Sequence, residues 1–160
     1  MSFYTDVIMP SPSFNSVNRV ADVNLLEPVT RSAVAKIIQQ AQATYGISLI
    51  VFETYRSQAR QTQLFNQRAT ELKIVGVHHF GLACDLVKNI GGQPSWKGDF
   101  SFLGALAKAN NLVWGGNWGH PQPPPGFKDL DHVQRCSVAM QPQLFAGTWY
   151  PDATYSPYNG

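Results

Sequence analysis

Two short stretches organise this sequence: GVHHFGLACD at residues 76–85 and FKDLDH at residues 127–132. They supply two imidazoles and a carboxylate that we expect to meet in space, together with a second carboxylate; these side chains are His78, Asp85, His132 and Asp129. Two imidazoles and one carboxylate are a ligand set for a zinc ion that keeps an open position, and the extra carboxylate could act as a base on water there. A structural zinc site usually closes with four ligands, often thiolates, whereas this chain has two cysteines and no C-x-x-C pair.

Apolar segments around these stretches predict three strands. Residues 47–55 are rich in β-branched and aromatic side chains and predict a buried strand. Residues 82–87 predict a second strand, in which a central carboxylate, Asp85, is costly unless it is paired or bound to a metal. Residues 130–138 predict a third, with His132, Gln134 and Cys136 on one face.

Helical periodicity predicts three helices between and before the strands. The first runs from an N-cap at Thr30 to a stop at Gly46. The second is capped by Ser57 and includes Leu72, and the third is capped by Asp99 and runs to about Asn110. The expected fold is α+β, with a small, mainly antiparallel sheet, helices packed around it and one zinc site in a groove.

Length and composition indicate one domain, residues 1–160, with a modest core. Residues 1–29 are expected to form an extended lead-in, and residues 141–160 a tail that wraps the surface. A formal charge of +2 without a Lys/Arg run argues against nucleic acid. No apolar run approaches the ~20 residues of a membrane span. Cys84 and Cys136 are expected to be buried free thiols, although they could in principle pair.

Four ordered motifs carry a resemblance to a known family. His78, Gly81, Ala83 and Asp85 form H-x-x-G-x-A-x-D, and the other three motifs are Y-R-S at residues 55–57, W-G-G-N-W at 114–118 and F-x-D-x-x-H-V-Q at 127–134. The set resembles the signatures of the LAS zinc metallopeptidases. That superfamily includes D-alanyl-D-alanine carboxypeptidases and dipeptidases and phage L-alanyl-D-glutamate endopeptidases.

The resemblance implies a role for each matching residue. His78, Asp85 and His132 would bind Zn²⁺, and Asp129 would be the general base that passes a proton to the leaving amine. Arg56 would direct its guanidinium at a substrate carboxylate or at the oxyanion formed on attack.

The chain also departs from the family pattern at four positions: Thr54 replaces a Gly, Gly76 a Ser, Asn117 an Asp and Asp131 a Pro. Asp131 is a second acid next to His132, but strand alternation should point it away, which favours Asp129 as the base. His79 competes with His78 as a ligand, and only the register of the motif favours His78.

Three other features near the motifs bear on substrate binding. His120 opens a proline-rich loop, and residues 119–126 are interpreted as an insertion at the cleft edge. Trp96, Trp114 and Trp118 could line a cleft, although buried packing is the commoner fate of such residues.

The expected function is therefore a zinc-dependent peptidoglycan peptidase that acts on the stem peptide, most simply an L-alanyl-D-glutamate endopeptidase. Alternatives are a D-alanyl-D-alanine carboxypeptidase or dipeptidase, or a metal-containing wall-binding module without catalysis. The first fourteen residues lack the basic and apolar regions of a Sec signal. We therefore expect synthesis in the cytoplasm and action at the cell wall after release through a holin or injection by a secretion machine, with a possible immunity protein as partner.

Overall fold

A computed structural model describes residues 2–67, 76–118 and 128–159. Three sequence-based predictions lie outside these ranges: the helical position of Leu72, the proline-rich insertion 119–126 with His120, and the motif residue Phe127.

A five-stranded antiparallel sheet forms the centre of the described part of the chain. Its strands are β1 (Leu49–Glu53), β2 (Ala83–Ile90), β3 (Gln93–Ser95), β4 (Val113–Trp114) and β5 (His132–Gln134). The order is β1-β2-β5-β4, and β3 pairs with β2 through a tight hairpin. Every pairing is antiparallel, so the predicted α+β class with a small antiparallel sheet is confirmed.

The described residues also contain four α-helices: α1 (Pro28–Tyr45), α2 (Gln58–Asn66), α3 (Ser101–Ala109) and α4 (Gln141–Phe145). The predicted N-cap of α1 is wrong by one turn. Glu27 is the cap, its carboxylate accepts from the Thr30 amide at 2.7 Å, and Pro28 fills the first helical position. Gly46 ends the helix at φ 66, as predicted, and Ser57 caps α2 by accepting from the Arg60 amide at 2.9 Å.

Helices α1 and α3 cover one face of the sheet. The core between them contains Cys84 and Leu86 of β2 and Val133 of β5, all fully buried. Because side chains alternate along a strand, Asp85 and His132 project from the opposite face. The helices thus pack on the apolar face of the sheet, and the opposite face carries polar side chains.

The N-terminal lead-in is not extended as predicted. Tyr4–Ile8 form a short π-helix, and Val23–Leu25 form a 3-10 helix. Ile8 and Leu26 are fully buried, and Ile8 packs in a cluster with Tyr55. Burial of these apolar side chains stabilises the lead-in against the protein more than its prolines favour an extended chain. The lead-in therefore packs beside the H-x-x-G-x-A-x-D motif.

Arg135 connects the start of α1 to the C-terminal tail. Its side chain is 2% exposed, and its guanidinium donates to the Glu27 carboxylate at 3.0 Å and to the carbonyls of Asp152 and Tyr155 at 2.6 and 2.9 Å. A buried charge needs such full pairing. The start of α1 and the C-terminal tail therefore share one anchor.

Cys84 and Cys136 are both buried and free, which agrees with the expectation of free thiols. Within the described ranges, none of the helices has the length and apolar character that crossing a bilayer requires.

Candidate active site

Three side chains predicted as metal ligands converge on the open face of the sheet. His78 lies in the 3-10 helix Val77–Phe80, Asp85 on β2, and His132 at the first position of β5, where it pairs with Asp85 across the ladder. The Asp85 carboxylate lies 3.2 Å from His78 Nε2 and 3.3 Å from His132 Nδ1. All three donor atoms lie within 4.8 Å of one another. A single cation could contact all three.

Hydrogen bonds on the far side of each imidazole fix its orientation. His78 Nδ1 donates to the Thr54 carbonyl at 2.7 Å, and His132 Nε2 donates to Gln134 Oε1 at 2.8 Å. The other nitrogen of each ring, His78 Nε2 or His132 Nδ1, faces Asp85 and can bind a metal once it carries no proton. Imidazole and carboxylate donors of this kind suit Zn²⁺, and three protein ligands leave a position for water or substrate.

Asp85 and His132 each change the pKa of the other. Burial would raise the pKa of the Asp85 carboxyl, but the two imidazoles outweigh burial and lower that pKa. Burial would likewise lower the pKa of His132, but the hydrogen bond to Asp85 and the charge of Asp129 raise it to about 9. Without a cation these groups form a buried ion pair, so a metal that binds here must displace a proton.

Asp129 lies beside this cluster, as the motif implied. Its Oδ2 is 3.8 Å from His132 Nδ1, and its side chain is 35% exposed, so it faces both the ligand set and solvent. Its position depends on Gly115, because the Asp129 amide donates to the Gly115 carbonyl at 3.1 Å. A Cβ on Gly115 would lie 2.3 Å from the carbonyl oxygen of Asp129. The W-G-G-N-W motif therefore supplies a glycine that lets the backbone of Asp129 come close, in addition to its aromatic rings.

Arg56 is held at the edge of the same cluster. Its guanidinium lies 2.8 Å from Glu53 and 3.6 Å from the outer oxygen of Asp85, and it donates to Gln61 at 3.2 Å. Arg60 pairs with the second oxygen of Glu53 at 3.2 Å. The buried Nε of Arg56 has no hydrogen-bond partner among the described residues.

Asp131 does not point away from the site, contrary to the expectation. It precedes β5, so strand alternation does not govern its side chain. One of its carboxylate oxygens lies within 4.8 Å of those of Asp85 and Asp129, and Oδ2 accepts from Trp96 Nε1 at 2.9 Å. Burial, followed by the charges of Asp85 and Asp129, raises the pKa of Asp131 well above its ordinary value.

His79, the alternative ligand to His78, faces a different environment. Its Nε2 lies 2.8 Å from the Tyr4 hydroxyl, and its Nδ1 lies 3.1 Å from the Arg56 carbonyl. Burial lowers the pKa of His79, and its ring packs against Tyr4, Phe14 and Tyr55. The geometry therefore groups His78, not His79, with Asp85 and His132, and His79 packs among aromatic rings beside the Arg56 backbone.

The three tryptophans raised as cleft residues have different surroundings. Trp118 packs on the His132 ring, with centroids 4.9 Å apart, and Trp96 is 49% exposed at the rim. Trp114 donates to the Leu130 carbonyl at 2.7 Å and packs against the core.

Sequence reasoning missed Glu53 as a site residue. It is a carboxylate at the end of an otherwise apolar strand, and it is 2% exposed. Burying a carboxylate in an apolar strand is costly unless it is paired, and this argument, which singled out Asp85, could have identified Glu53 as well.

Sequence and structure comparisons relate the chain to several known proteins, although no protein-family model matches it. It is 30% identical over 119 residues to the L-alanyl-D-glutamate peptidase of Listeria phage A118, a match covering 72% of this chain and 40% of the phage protein. It is 27% identical over 143 residues to the peptidoglycan L-alanyl-D-glutamate endopeptidase CwlK of Bacillus subtilis, covering 76% of this chain and 81% of that protein. The chain thus spans less than half the length of the phage relative.

A solved structure has a similar fold. The Serratia marcescens L-Ala D-Glu endopeptidase ChiX superposes with a TM-score of 0.54 at 21% sequence identity, over 74% of this chain and 90% of that one.

Proposed function

We propose that this chain, which is related to the LAS-type peptidases in sequence and fold, is a zinc-dependent peptidoglycan hydrolase that cleaves the bond between L-alanine and D-glutamate in the stem peptide. The observation that carries the proposal is the convergence of His78, Asp85 and His132, with Asp129 beside them. Both sequence relatives named above are L-alanyl-D-glutamate peptidases, which favours this bond over D-alanyl-D-alanine.

The donor set fits zinc, which His78, Asp85 and His132 would hold. Bound there, zinc supplies a Lewis acid that polarises the scissile carbonyl and lowers the pKa of a water molecule toward ~7. Thr54 and Gln134 keep both imidazoles in the tautomer that ligation needs.

Asp129 is the residue placed to move protons. Its carboxylate borders the ligand set and is partly exposed, so it can accept a proton from the attacking water and deliver it to the amine of the departing D-glutamate. No other carboxylate of the cluster is both near the ligand set and open to solvent in the described ranges, since Asp85 and Asp131 are buried.

Arg56 supplies positive charge at the edge of the site. The Arg56 side chain is 15% exposed, so its guanidinium can bind the substrate, either at a carboxylate of the stem peptide or at the oxyanion formed on attack. Glu53 holds the guanidinium in place through its 2.8 Å contact with Arg56.

Delivery by a holin or a secretion machine, and an immunity protein, remain predictions from the family resemblance.

Digestion of purified peptidoglycan tests the proposal. Mass spectrometry should find new stem peptides with N-terminal D-glutamate, and a chelator should abolish them. Released D-alanine would instead indicate a carboxypeptidase. Binding of the wall without any product, in the presence of zinc, would indicate a module without catalysis.

A variant at Asp129 separates the base from the metal. Asp129→Asn should retain one zinc per chain and lose activity by at least ~10²-fold, the range of general base catalysis. Asp6→Asn, at an exposed position in the N-terminal π-helix, is the matched control and should match wild type. Full activity of Asp129→Asn would show that another group is the base.

A further inference from the structure

A half-exposed aromatic side chain lies at the rim of the candidate site and has no part in the mechanism. Trp96 directly follows β3 and is 49% exposed. Its ring meets that of Phe52 edge-on, with centroids 4.9 Å apart and an interplanar angle of 81°. None of the four motifs of the family resemblance includes Trp96 or Phe52.

The indole is attached to the site through Asp131. Trp96 Nε1 donates to Asp131 Oδ2 at 2.9 Å, and a carboxylate oxygen of Asp131 lies within 4.8 Å of those of Asp85 and Asp129. Asp131 stands where the family pattern has a proline, which has no carboxylate to accept this bond. The bond fixes the indole and satisfies its only polar group, so the exposed part of Trp96 is an apolar ring surface.

The second ring, Phe52, is displaced from the regular strand pattern. The register between β1 and β2 shifts between Val51 and Glu53, and Phe52 is the residue between them. Such an irregularity re-aims a side chain, often next to an active site. Arg19 covers Phe52, with its guanidinium carbon 4.3 Å from the ring centroid, and donates to the Phe52 carbonyl at 2.6 Å. Phe52 is therefore a firm support for Trp96.

We propose that Trp96, supported by Phe52 and held by Asp131, is a saccharide platform that stacks on the muramic acid sugar attached to the stem peptide. This inference rests on the proposed function. In peptidoglycan, L-alanine is the first residue of the stem peptide and is joined by an amide to the lactyl group of that sugar. One residue, which spans at most ~3.6 Å, thus separates the sugar linkage from the scissile bond.

The chemistry of the surface fits a sugar better than a peptide. One face of a pyranose ring presents C–H groups, which pack on the apolar face of an aromatic ring, while the hydroxyls at its edge remain in water. A fixed indole with no free donor offers contact area at little cost in side-chain entropy. Trp96 would thereby favour stem peptides that are still attached to glycan over free ones.

The test compares two substrates that differ only in the sugar: a disaccharide muropeptide and the same stem peptide without the disaccharide. The measured quantity is the ratio of kcat/KM on the muropeptide to kcat/KM on the free peptide. Trp96→Ala should lower this ratio by about tenfold, as loss of an aromatic anchor does. Trp96→Tyr keeps a ring and should stay within about threefold of wild type.

Tyr45→Ala is the matched control, because Tyr45 is 45% exposed and packs on Phe102 in the helical layer. Its ratio should equal that of wild type. An unchanged ratio in Trp96→Ala, which includes an equal loss on both substrates, would overturn the platform, as would an equal fall in Tyr45→Ala.

A binding measurement keeps the platform separate from the proposed function. If the wild-type protein cleaves neither substrate, the proposed function fails, and the platform is tested by titrating ¹⁵N-labelled protein with the N-acetylglucosamine–N-acetylmuramic acid disaccharide. The Trp96 indole signal, assigned by its absence from the Trp96→Tyr spectrum, should shift during the titration. A titration that leaves this signal unmoved would overturn the platform.

Discussion

Glu53 and Asp85 are direct neighbours across the ladder between β1 and β2, and the guanidinium of Arg56 contacts both carboxylates, at 2.8 and 3.6 Å. Arg56 thus connects a proposed metal ligand to a buried acid outside the ligand set. The Arg56 guanidinium is thus held at the edge of the site by one carboxylate oxygen of Asp85, while the other oxygen of Asp85 faces the two imidazoles.

Glu53→Gln should weaken this arrangement while it preserves side-chain shape. We expect kcat/KM to fall by ~10- to 100-fold, because the guanidinium loses its charged partner and its fixed position. Zinc content should remain that of wild type. Steady-state kinetics and metal analysis of the same preparation measure both quantities.

Arg60→Gln is the control for Glu53→Gln. It also removes an ion pair of Glu53, but Arg60 has no contact with Asp85 in the described ranges. Its activity should stay within about threefold of wild type. Equal losses in the two variants would indicate that they act through stability instead of through Arg56.

The two adjacent histidines should differ in their effect on metal content. His78→Ala removes a proposed ligand, so the purified protein should hold less than the one zinc per chain of wild type. His79→Ala leaves the ligand set intact and should retain zinc, but it should lower the melting temperature because a buried ring bonded to Tyr4 is lost. Zinc loss in His79→Ala with retention in His78→Ala would reverse the assignment.

Gln134 should influence metal affinity without touching the metal. Its Oε1 accepts from His132 Nε2 at 2.8 Å. Gln134→Leu removes that acceptor and should weaken zinc binding by ~10- to 100-fold. Gln134→Glu keeps the acceptor and should bind zinc more tightly than Gln134→Leu. Competition against a chelator of known affinity measures the constants, and equal affinities in both variants would contradict the role.

Gly115→Ala should displace Asp129, because the added Cβ would lie 2.3 Å from the Asp129 carbonyl oxygen. We expect activity to fall by at least ~10²-fold because the base moves, and zinc binding to weaken because the same carbonyl oxygen accepts from the His132 amide at 3.3 Å. Gly104→Ala is the control: its Cβ would meet the Trp114 ring at 2.4 Å and should cost ~1–3 kcal/mol of stability. A folded, fully active Gly115→Ala protein would contradict the dependence of Asp129 on this glycine.

Local sequence signals predicted the main parts of the fold where each was strong. A long apolar period and Gly46 marked α1, a run rich in β-branched and aromatic residues marked β1, and an apolar run marked β2. The resemblance to the LAS-type peptidases, drawn from four motifs, is confirmed by the relatives and the fold. Strand β4 was not predicted, because two residues, Val113 and Trp114, carry no period.

Other features depended on long-range contacts that local patterns do not contain. The N-terminal lead-in contains short helices because Ile8 and Leu26 find a buried environment among residues distant in the sequence. The direction of Asp131 was wrong because β5 begins one residue later, at His132, so strand alternation was applied outside the strand. The hydrogen bond from Trp96 to Asp131 and the acidic neighbours of Asp131 could not be predicted from local patterns. They depend on β3 and β5 lying in the same sheet.

The anchor at Arg135 also bears on when this protein can finish folding during synthesis. Two of the three acceptors of its guanidinium come from Asp152 and Tyr155, which leave the ribosome after every residue of the candidate site has been made. Until Asp152 and Tyr155 are made, the Arg135 guanidinium has the Glu27 carboxylate alone among these three acceptors. Arg135 directly follows Gln134, which accepts the hydrogen bond from His132. We therefore expect a chain cut before Asp152 to fold its site poorly, because the Arg135 guanidinium then has only the Glu27 carboxylate as an acceptor.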